Sequence, residues 1–221
     1  MDSEDRCLLV FSKPARPGLV KTRLIGELTS DQTAQLHAAF LDDLTARLRQ
    51  GRFDLFVAWA VAAEESLPSS AFSAVRQVGE SLGDRLYGTL NQVAAAYRWL
   101  AAIGSDHPDL ALSLVHQAFD KLVGGADVVF GPATDGGYYL VALRSEALHP
   151  KIFQGIEWST STVLASSLER CRELGLNVGQ LPEAADVDTP EDLRRLARVL
   201  QDQPELDCPR TRSLLASWGW L

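Results

Sequence analysis

The stretch Leu8-Leu9-Val10-Phe11-Ser12-Lys13-Pro14-Ala15-Arg16-Pro17-Gly18-Leu19-Val20-Lys21-Thr22-Arg23-Leu24 decides the fold. It opens as a continuous apolar run entered from a polar start, the pattern of a strand buried on both faces. It continues as a loop holding Lys13, Arg16, Lys21 and Arg23 with no acid among them. Pro14, Pro17 and Gly18 shape the turn, and Val20 onward is expected to begin a helix whose free N–H groups favour an anion. Convergent cations and backbone donors suit a polyphosphate. The alternative is a solvated basic loop. Its place directly after the first strand, where α/β folds hold ligands, favours phosphate. The loop has neither the GxxxxGK[ST] spacing of a P-loop nor the GxGxxG of a dinucleotide site.

Outward from this stretch, short apolar runs alternate with segments of helical period. A helix is expected over Asp31–Gln50, striped by Leu36, Phe40, Leu44 and Leu48. Strands are expected over Leu55–Val61, Trp99–Ile103, Val128–Phe130 and Tyr138–Leu143. Helices are expected over Gly83–Tyr97, around Leu112–Leu122 and up to Leu174-Gly175, with glycine just past the end. Thr189-Pro190-Glu191-Asp192 is a strong helix start: a cap, a proline at the first position and acids at the positive end. This alternation predicts a three-layer α/β/α domain with a mostly parallel sheet over residues 1–202. Residues 203–221 read as a tail, irregular until Leu214, that packs back through Trp218 and Trp220.

The chain has 221 residues, with 46% hydrophobic and 23% charged, which is a globular composition. At about 150 residues per domain it makes one or two domains, long enough to bury a core without metal or disulfide. A net charge of −8 argues against general affinity for nucleic acid or anionic membrane. The longest apolar run, Leu55 to Ala63, falls well short of the ~20 residues of a bilayer span. The acidic start Met1-Asp2-Ser3-Glu4-Asp5 is unlike a signal peptide. Cys7, Cys171 and Cys208 are odd in number and widely spaced, which points to a reduced, cytoplasmic compartment.

Three later segments lie at or between strand ends. Gly104-Ser105-Asp106-His107-Pro108-Asp109-Leu110 offers Asp106 as a ligand for a hard divalent cation at a strand end. Asp109 either joins it or caps the next helix, and His107, lacking a partner at zinc spacing, reads as a loop histidine. In Gly131-Pro132-Ala133-Thr134-Asp135-Gly136-Gly137-Tyr138, glycines permit close approach of a ligand while Thr134 and Asp135 supply polar groups. Asp-Gly is equally a hairpin signal. In Ala185-Asp186-Val187-Asp188, alternation puts two carboxylates on one side, where they repel unless a cation or proton relieves them.

Together these segments resemble the nucleotide-diphospho-sugar transferase superfamily, with its glycosyltransferase-A fold, from about Cys7 to Leu200. In their order they are similar to a bacterial branch known as glycosyltransferases of arsenosugar biosynthesis, or radical-SAM/selenodomain-associated transferases. Lys21-Thr22-Arg23-Leu24 and Asp188-Thr189-Pro190-Glu191 are also similar to nucleotidyltransferases such as 2-phospholactate guanylyltransferase and CMP-Kdo synthetase. The resemblance implies a metal-dependent transferase with a nucleotide donor and a small-molecule acceptor, and with Asp106 and Asp188 binding Mg²⁺ or Mn²⁺. Either glycosyl or nucleotidyl transfer is implied, and a non-catalytic nucleotide-binding module is the alternative. Lys13, Arg16, Gly18, Lys21 and Arg23 are the implied phosphate loop, joined by Gly83-Asp84-Arg85, which a capped helix explains nearly as well. Asp106 and Asp135 are the implied catalytic carboxylates. Thr134, Gly136, Gly137, Tyr138, Trp158, Thr160 and Thr162 are the implied acceptor side, where Trp158 either stacks a sugar or fills the core. Two positions depart from pattern. Ser105-Asp106-His107 lacks the first acid of an Asp-x-Asp, and a proline-containing loop replaces Gly-x-Gly-x-x-Arg.

Overall fold

The computed structural model describes residues 5–69 and 72–221. Its centre is a seven-stranded sheet: β1 (Arg6–Ser12), β2 (Asp54–Trp59), β3 (Ser73–Arg76), β4 (Trp99–Gly104), β5 (Val128–Pro132), β6 (Tyr138–Arg144) and β7 (Val178–Gln180). The order is β3-β2-β1-β4-β6-β5-β7. β6 pairs antiparallel with both β4 and β5, and the remaining pairings are parallel. The helices are α1 (Ser30–Leu48), α2 (Leu82–Val93), α3 (Leu112–Val123), α4 (Val163–Glu173), α5 (Pro190–Asp202) and α6 (Pro209–Ser217). The expected α/β/α layering is the one observed.

Alternation along the strands builds the layers. Leu8 and Val10 of β1, with Ala101 and Ile103 of β4, face α1 and α3 through Leu44, Leu48, Val115 and Phe119. Cys7 and Leu9, with Leu100 and Ala102, face α2 through Leu86 and Leu90 and α4 through Cys171. Strands buried on both sides must be apolar throughout, as this sequence is. A third cluster joins Leu36 and Phe40 of α1 to Leu193, Leu196 and Leu200 of α5 and Leu215 of α6.

Chain order reverses between β1 and β4, so their carboxyl ends frame a topological switch point. Phe11 is in register with Gly104, which brings Ser12 and Ser105 side by side with their hydroxyls 3.1 Å apart.

Several boundaries differ from expectation. No α-helix follows Val20; Lys21 adopts φ 48°, and only a single 3-10 turn, Thr22–Leu24, forms. α2 begins one residue earlier than expected, because Ser81 and Asp84 form a capping box, and ends at Val93 rather than Tyr97. β2 stops at Trp59 rather than Val61. The tail is helical from Pro209, well before Leu214. Asp43 of α1 is 2% exposed, and its two oxygens accept from Arg210 N (3.0 Å) and Thr211 N (2.8 Å) at the start of α6. Trp218 and Trp220 pack against the third cluster. Among the described residues, no helix is long and apolar enough to cross a membrane.

Candidate functional site

A cavity of about 550 Å³ opens at the carboxyl ends of β1 and β4. Lys13, Arg23 and Arg85 line it together with Asp106, Asp135, Asp186 and Asp188. Five segments distant in sequence therefore converge where the switch point directs a ligand.

Lys21 organises the carboxylates. Its Nζ lies 2.5 Å from Asp106 Oδ1 and 3.0 Å from Asp188 Oδ1, and it donates to Val187 O at 2.6 Å. Its side chain is 2% exposed, whereas those of Asp106 and Asp188 are 40% and 38% exposed. The ammonium thus sits beneath the carboxylates while they open to the cavity. Burial alone would lower the Lys21 pKa, but Asp106 and Asp188 outweigh it and hold it above the ordinary value. Burial likewise opposes ionisation of Asp106, and the Lys21 charge and hydrogen bond bring its pKa below the usual carboxylate value. The left-handed backbone at Lys21 is what turns its side chain inward, at the cost of the helix expected there.

Asp186 carries the opposite perturbation. Burial and the neighbouring charges of Asp188 and Asp135 push its pKa up to about 6. One buried ammonium, with Arg23 3.8 Å from Asp188 Oδ2, leaves this end of the cavity short of positive charge. The backbone there is held firmly. Val187 N donates to Asp106 O at 3.1 Å, Arg195 donates to Asp186 O at 2.8 Å, and Asp192 Oδ2 accepts from Asp188 N and Thr189 N.

The other expected residues divide. Gly137, Tyr138, Trp158 and Thr160 line the cavity. Asp135 Oδ1 accepts from Gly137 N at 2.8 Å, which fixes the turn between β5 and β6. The Tyr138 ring packs between Phe130 and Trp158 with its hydroxyl buried, and that burial raises its pKa. Trp158 both packs on Tyr138 and reaches the cavity. Thr160 and Thr162 hydroxyls bond each other at 2.8 Å. Gly136 (φ +89°) lies where a Cβ would meet Ser161 O at 2.2 Å, so it serves the close approach of two loops.

Arg16 pairs with Glu65 and Gly18 supplies a left-handed turn; neither lines the cavity, nor do Thr134, Gly136 and Thr162. Gly83 and Asp84 are also outside it. A Cβ on Gly83 would meet Phe153 O at 2.3 Å, and Asp84 is spent on the capping box with Ser81. Of that trio only Arg85 reaches the cavity, with its Nε 3.2 Å from Gly79 O.

Sequence reasoning missed Gln77 and Tyr139. Gln77 follows β3, donates to Ala58 O at 2.8 Å and lines the cavity. Its signal was its place after a strand, but β3 is too short and too exposed to be read as one. Tyr139 spans from His107 (ring centroids 5.4 Å apart) to Pro182 O, with Gly131 beneath its ring. Among the described residues, no three His, Cys, Asp or Glu side chains form a preformed metal cage.

The whole architecture has close counterparts. A candidate nucleotide-diphospho-sugar transferase from Desulfovibrio desulfuricans G20 superposes with a TM-score of 0.88 at 32% identity, covering 98% of this chain and 95% of its own. CMP:2-keto-3-deoxy-manno-octonic acid synthetase, solved with CTP, shares the fold at a TM-score of 0.56 and 16% identity, covering 90% of this chain and 99% of its own. The 4-diphosphocytidyl-2C-methyl-D-erythritol synthase of Anaerococcus prevotii DSM 20548 does so at 0.59 and 9% identity, covering 90% of this chain and 97% of its own. No curated protein sequence matches significantly. The family model for DUF2064, described as an uncharacterized protein conserved in bacteria, matches residues 43–160, and the chain belongs to that family.

Proposed function

We propose that the protein is a transferase that takes its donor as a nucleotide, and that the reaction is glycosyl transfer from a nucleotide-diphospho-sugar. One observation carries this reading: a cavity of about 550 Å³ at the switch point sets cationic Lys13, Arg23 and Arg85 against Asp106 and Asp188. Its volume suits a small-molecule ligand. Likeness over nearly the whole chain to a candidate nucleotide-diphospho-sugar transferase supports the donor class. The arsenosugar branch is the narrower form of the same proposal.

In this reading Lys13, Arg23 and Arg85 bind the donor phosphates by charge-assisted contacts. Lys21 acts from below, keeping Asp106 and Asp188 ionised and correctly aimed. A divalent cation fits the residues present: Lys21 engages only Oδ1 of each carboxylate, both are partly open to the cavity, and Asp135 and Asp186 line it beside them. Hard cations are commonly held by one or two carboxylates, with phosphates and water completing the shell. Asp106 and Asp188 would hold Mg²⁺ or Mn²⁺, which when bound neutralises charge on the departing phosphate. Asp135 faces the acceptor with Trp158 and Thr160, where it orients an acceptor hydroxyl or takes its proton. Three buried, unpaired cysteines support a reducing cytoplasmic setting.

Nucleotidyl transfer from a triphosphate is the second reading. It is favoured by the late aspartate before Thr189-Pro190, which meets Asp106 through Lys21, and by the shared fold of the two synthases. Thermal-shift screening of nucleotides with and without Mn²⁺ separates the readings. Stabilisation by UDP- or GDP-type diphosphates supports the first, and stabilisation by triphosphates alone supports the second. No stabilisation by either overturns both.

A further inference from the structure

Arg47, in the last turn of α1, is 9% exposed, and its guanidinium reaches the loop that follows β4. Its Nη1 donates to Pro108 O at 2.7 Å and to Leu110 O at 3.1 Å. Its Nη2 donates to Asp207 O and, at 3.1 Å, to Cys208 Sγ, in the segment that leads into α6. Cys208 is fully buried, and its Sγ in turn donates to Pro108 O at 3.1 Å. Burial pushes this thiol up to about 11, so it keeps the proton it donates.

A guanidinium cannot shed its charge, so burying one is costly unless its donors are met. None of the groups that accept from Arg47 is a carboxylate; they are three carbonyls and a thiol. Two of those carbonyls belong to one short loop, two and four residues beyond Asp106. The same loop is fixed elsewhere by Val187 N, which donates to Asp106 O at 3.1 Å, and by the His107 ring packed on Tyr139. Arg47 and Cys208 themselves do not line the cavity, whereas the Asp106 side chain is 40% exposed there. A planar fork suits this task, because one group can span loop and tail together; the point charge of an ammonium cannot.

We propose that Arg47 is a positioning residue for the Asp106 carboxylate, assisted by Cys208, and that residues 203–221 are thereby part of the support of the metal-binding site. The inference rests on Asp106 being a metal ligand, as proposed above. Groups that hold a ligand from behind set about 10- to 100-fold of metal affinity, so loosening this loop should be read at the metal.

Arg47→Lys keeps the charge and loses the fork. Mn²⁺ alone is titrated into the full chain, free Mn²⁺ being read by electron paramagnetic resonance. Titrations run well below the melting temperatures of wild type and variant, where a merely structural role leaves the affinity unchanged. The expected result is an affinity at least ~10-fold weaker in Arg47→Lys. Cys208→Ala keeps the guanidinium and removes one donor from Pro108 O; because S–H is a weak donor, a smaller loss of at least ~2-fold is expected. This second variant decides the matter if Arg47→Lys fails to fold. Without metal, hydrogen exchange of the Val187 N–H, which bonds Asp106 O, should quicken in the variants more than that of amides in the centre of β1. Wild type that binds no Mn²⁺ overturns the metal reading of Asp106 and this inference with it. Wild type that binds Mn²⁺ while the folded variants bind it equally well, or unchanged exchange at Val187, overturns this inference alone.

Discussion

Lys21 Nζ lies 2.5 Å from Asp106 Oδ1, on the buried side of a carboxylate that is itself open to the cavity. The same ammonium holds Asp188 at 3.0 Å, so a single cation ties the loop after β1 to the ends of two other segments.

Lys21→Met removes the charge and keeps the stem. Breaking a buried ion pair costs about 3–5 kcal/mol, and solvent on the two half-exposed aspartates reduces this to about 1–3 kcal/mol. In the metal-binding account, where Lys21 aims the two carboxylates, Mn²⁺ raises the melting temperature of this variant less than that of the wild type. An equal rise in both proteins sinks the link between Lys21 and the metal site.

Asp43→Asn tests the docking of the tail. Asp43 accepts from two backbone N–H groups of α6, and charge-assisted bonds of this kind are worth about 1.5–3 kcal/mol each. An amide oxygen retains one weakened bond, so a loss of about 1–3 kcal/mol is expected in denaturant unfolding. Unchanged stability would show that α6 docks through its apolar face alone.

Gly83→Ala separates packing from binding. The added methyl meets Phe153 O at 2.3 Å, a backbone atom that cannot swing aside. A destabilisation of about 1–3 kcal/mol is expected, as for overpacking. A stable variant with selectively weakened nucleotide binding would return Gly83 to the binding surface.

His37 sets a pH dependence. Burial holds its folded pKa below the ordinary 6.5 that it regains on unfolding. Acid therefore protonates the unfolded chain first: the contribution is complete above about pH 6.5 and is lost as pH falls below it. His37→Gln should show a smaller drop in melting temperature than wild type between about pH 7.5 and 5. Parallel curves for the two proteins would contradict this.

Much of the architecture was legible because the strands are buried on both faces. Leu8-Leu9-Val10-Phe11 and Trp99-Leu100-Ala101-Ala102-Ile103 need no partner to identify them as strands. β3 and β7 were not legible. Ser73-Ala74-Val75-Arg76 and Val178-Gly179-Gln180 are short, half-exposed edges whose strand character comes from the neighbour they pair with. The antiparallel run of β6 was equally hidden, since direction is a property of pairing and not of Tyr138–Arg144 itself. At the site, the Asp106 and Asp135 segments were readable from their place after a strand, and the Asp186–Asp188 pair from the alternation that puts both on one side. The position of Lys21 was not: its left-handed backbone is held by Asp106, Val187 and Asp188, all far along the chain. A local reading puts it with the phosphate-binding cations; tertiary pairing puts it underneath them.

The central claim is that Asp106, held by Lys21, brings a divalent cation to a nucleotide donor. Calorimetric titration of UDP and GDP, with and without Mn²⁺, into wild type and Asp106→Asn tests it most directly, with melting curves verifying that both are folded. The account predicts that binding of at least one nucleotide by wild type depends on Mn²⁺. It also predicts that the variant loses at least ~10-fold in affinity, about 1.4 kcal/mol, with Mn²⁺ present. Equal affinity with and without Mn²⁺, or an unchanged affinity in the folded variant, would contradict it.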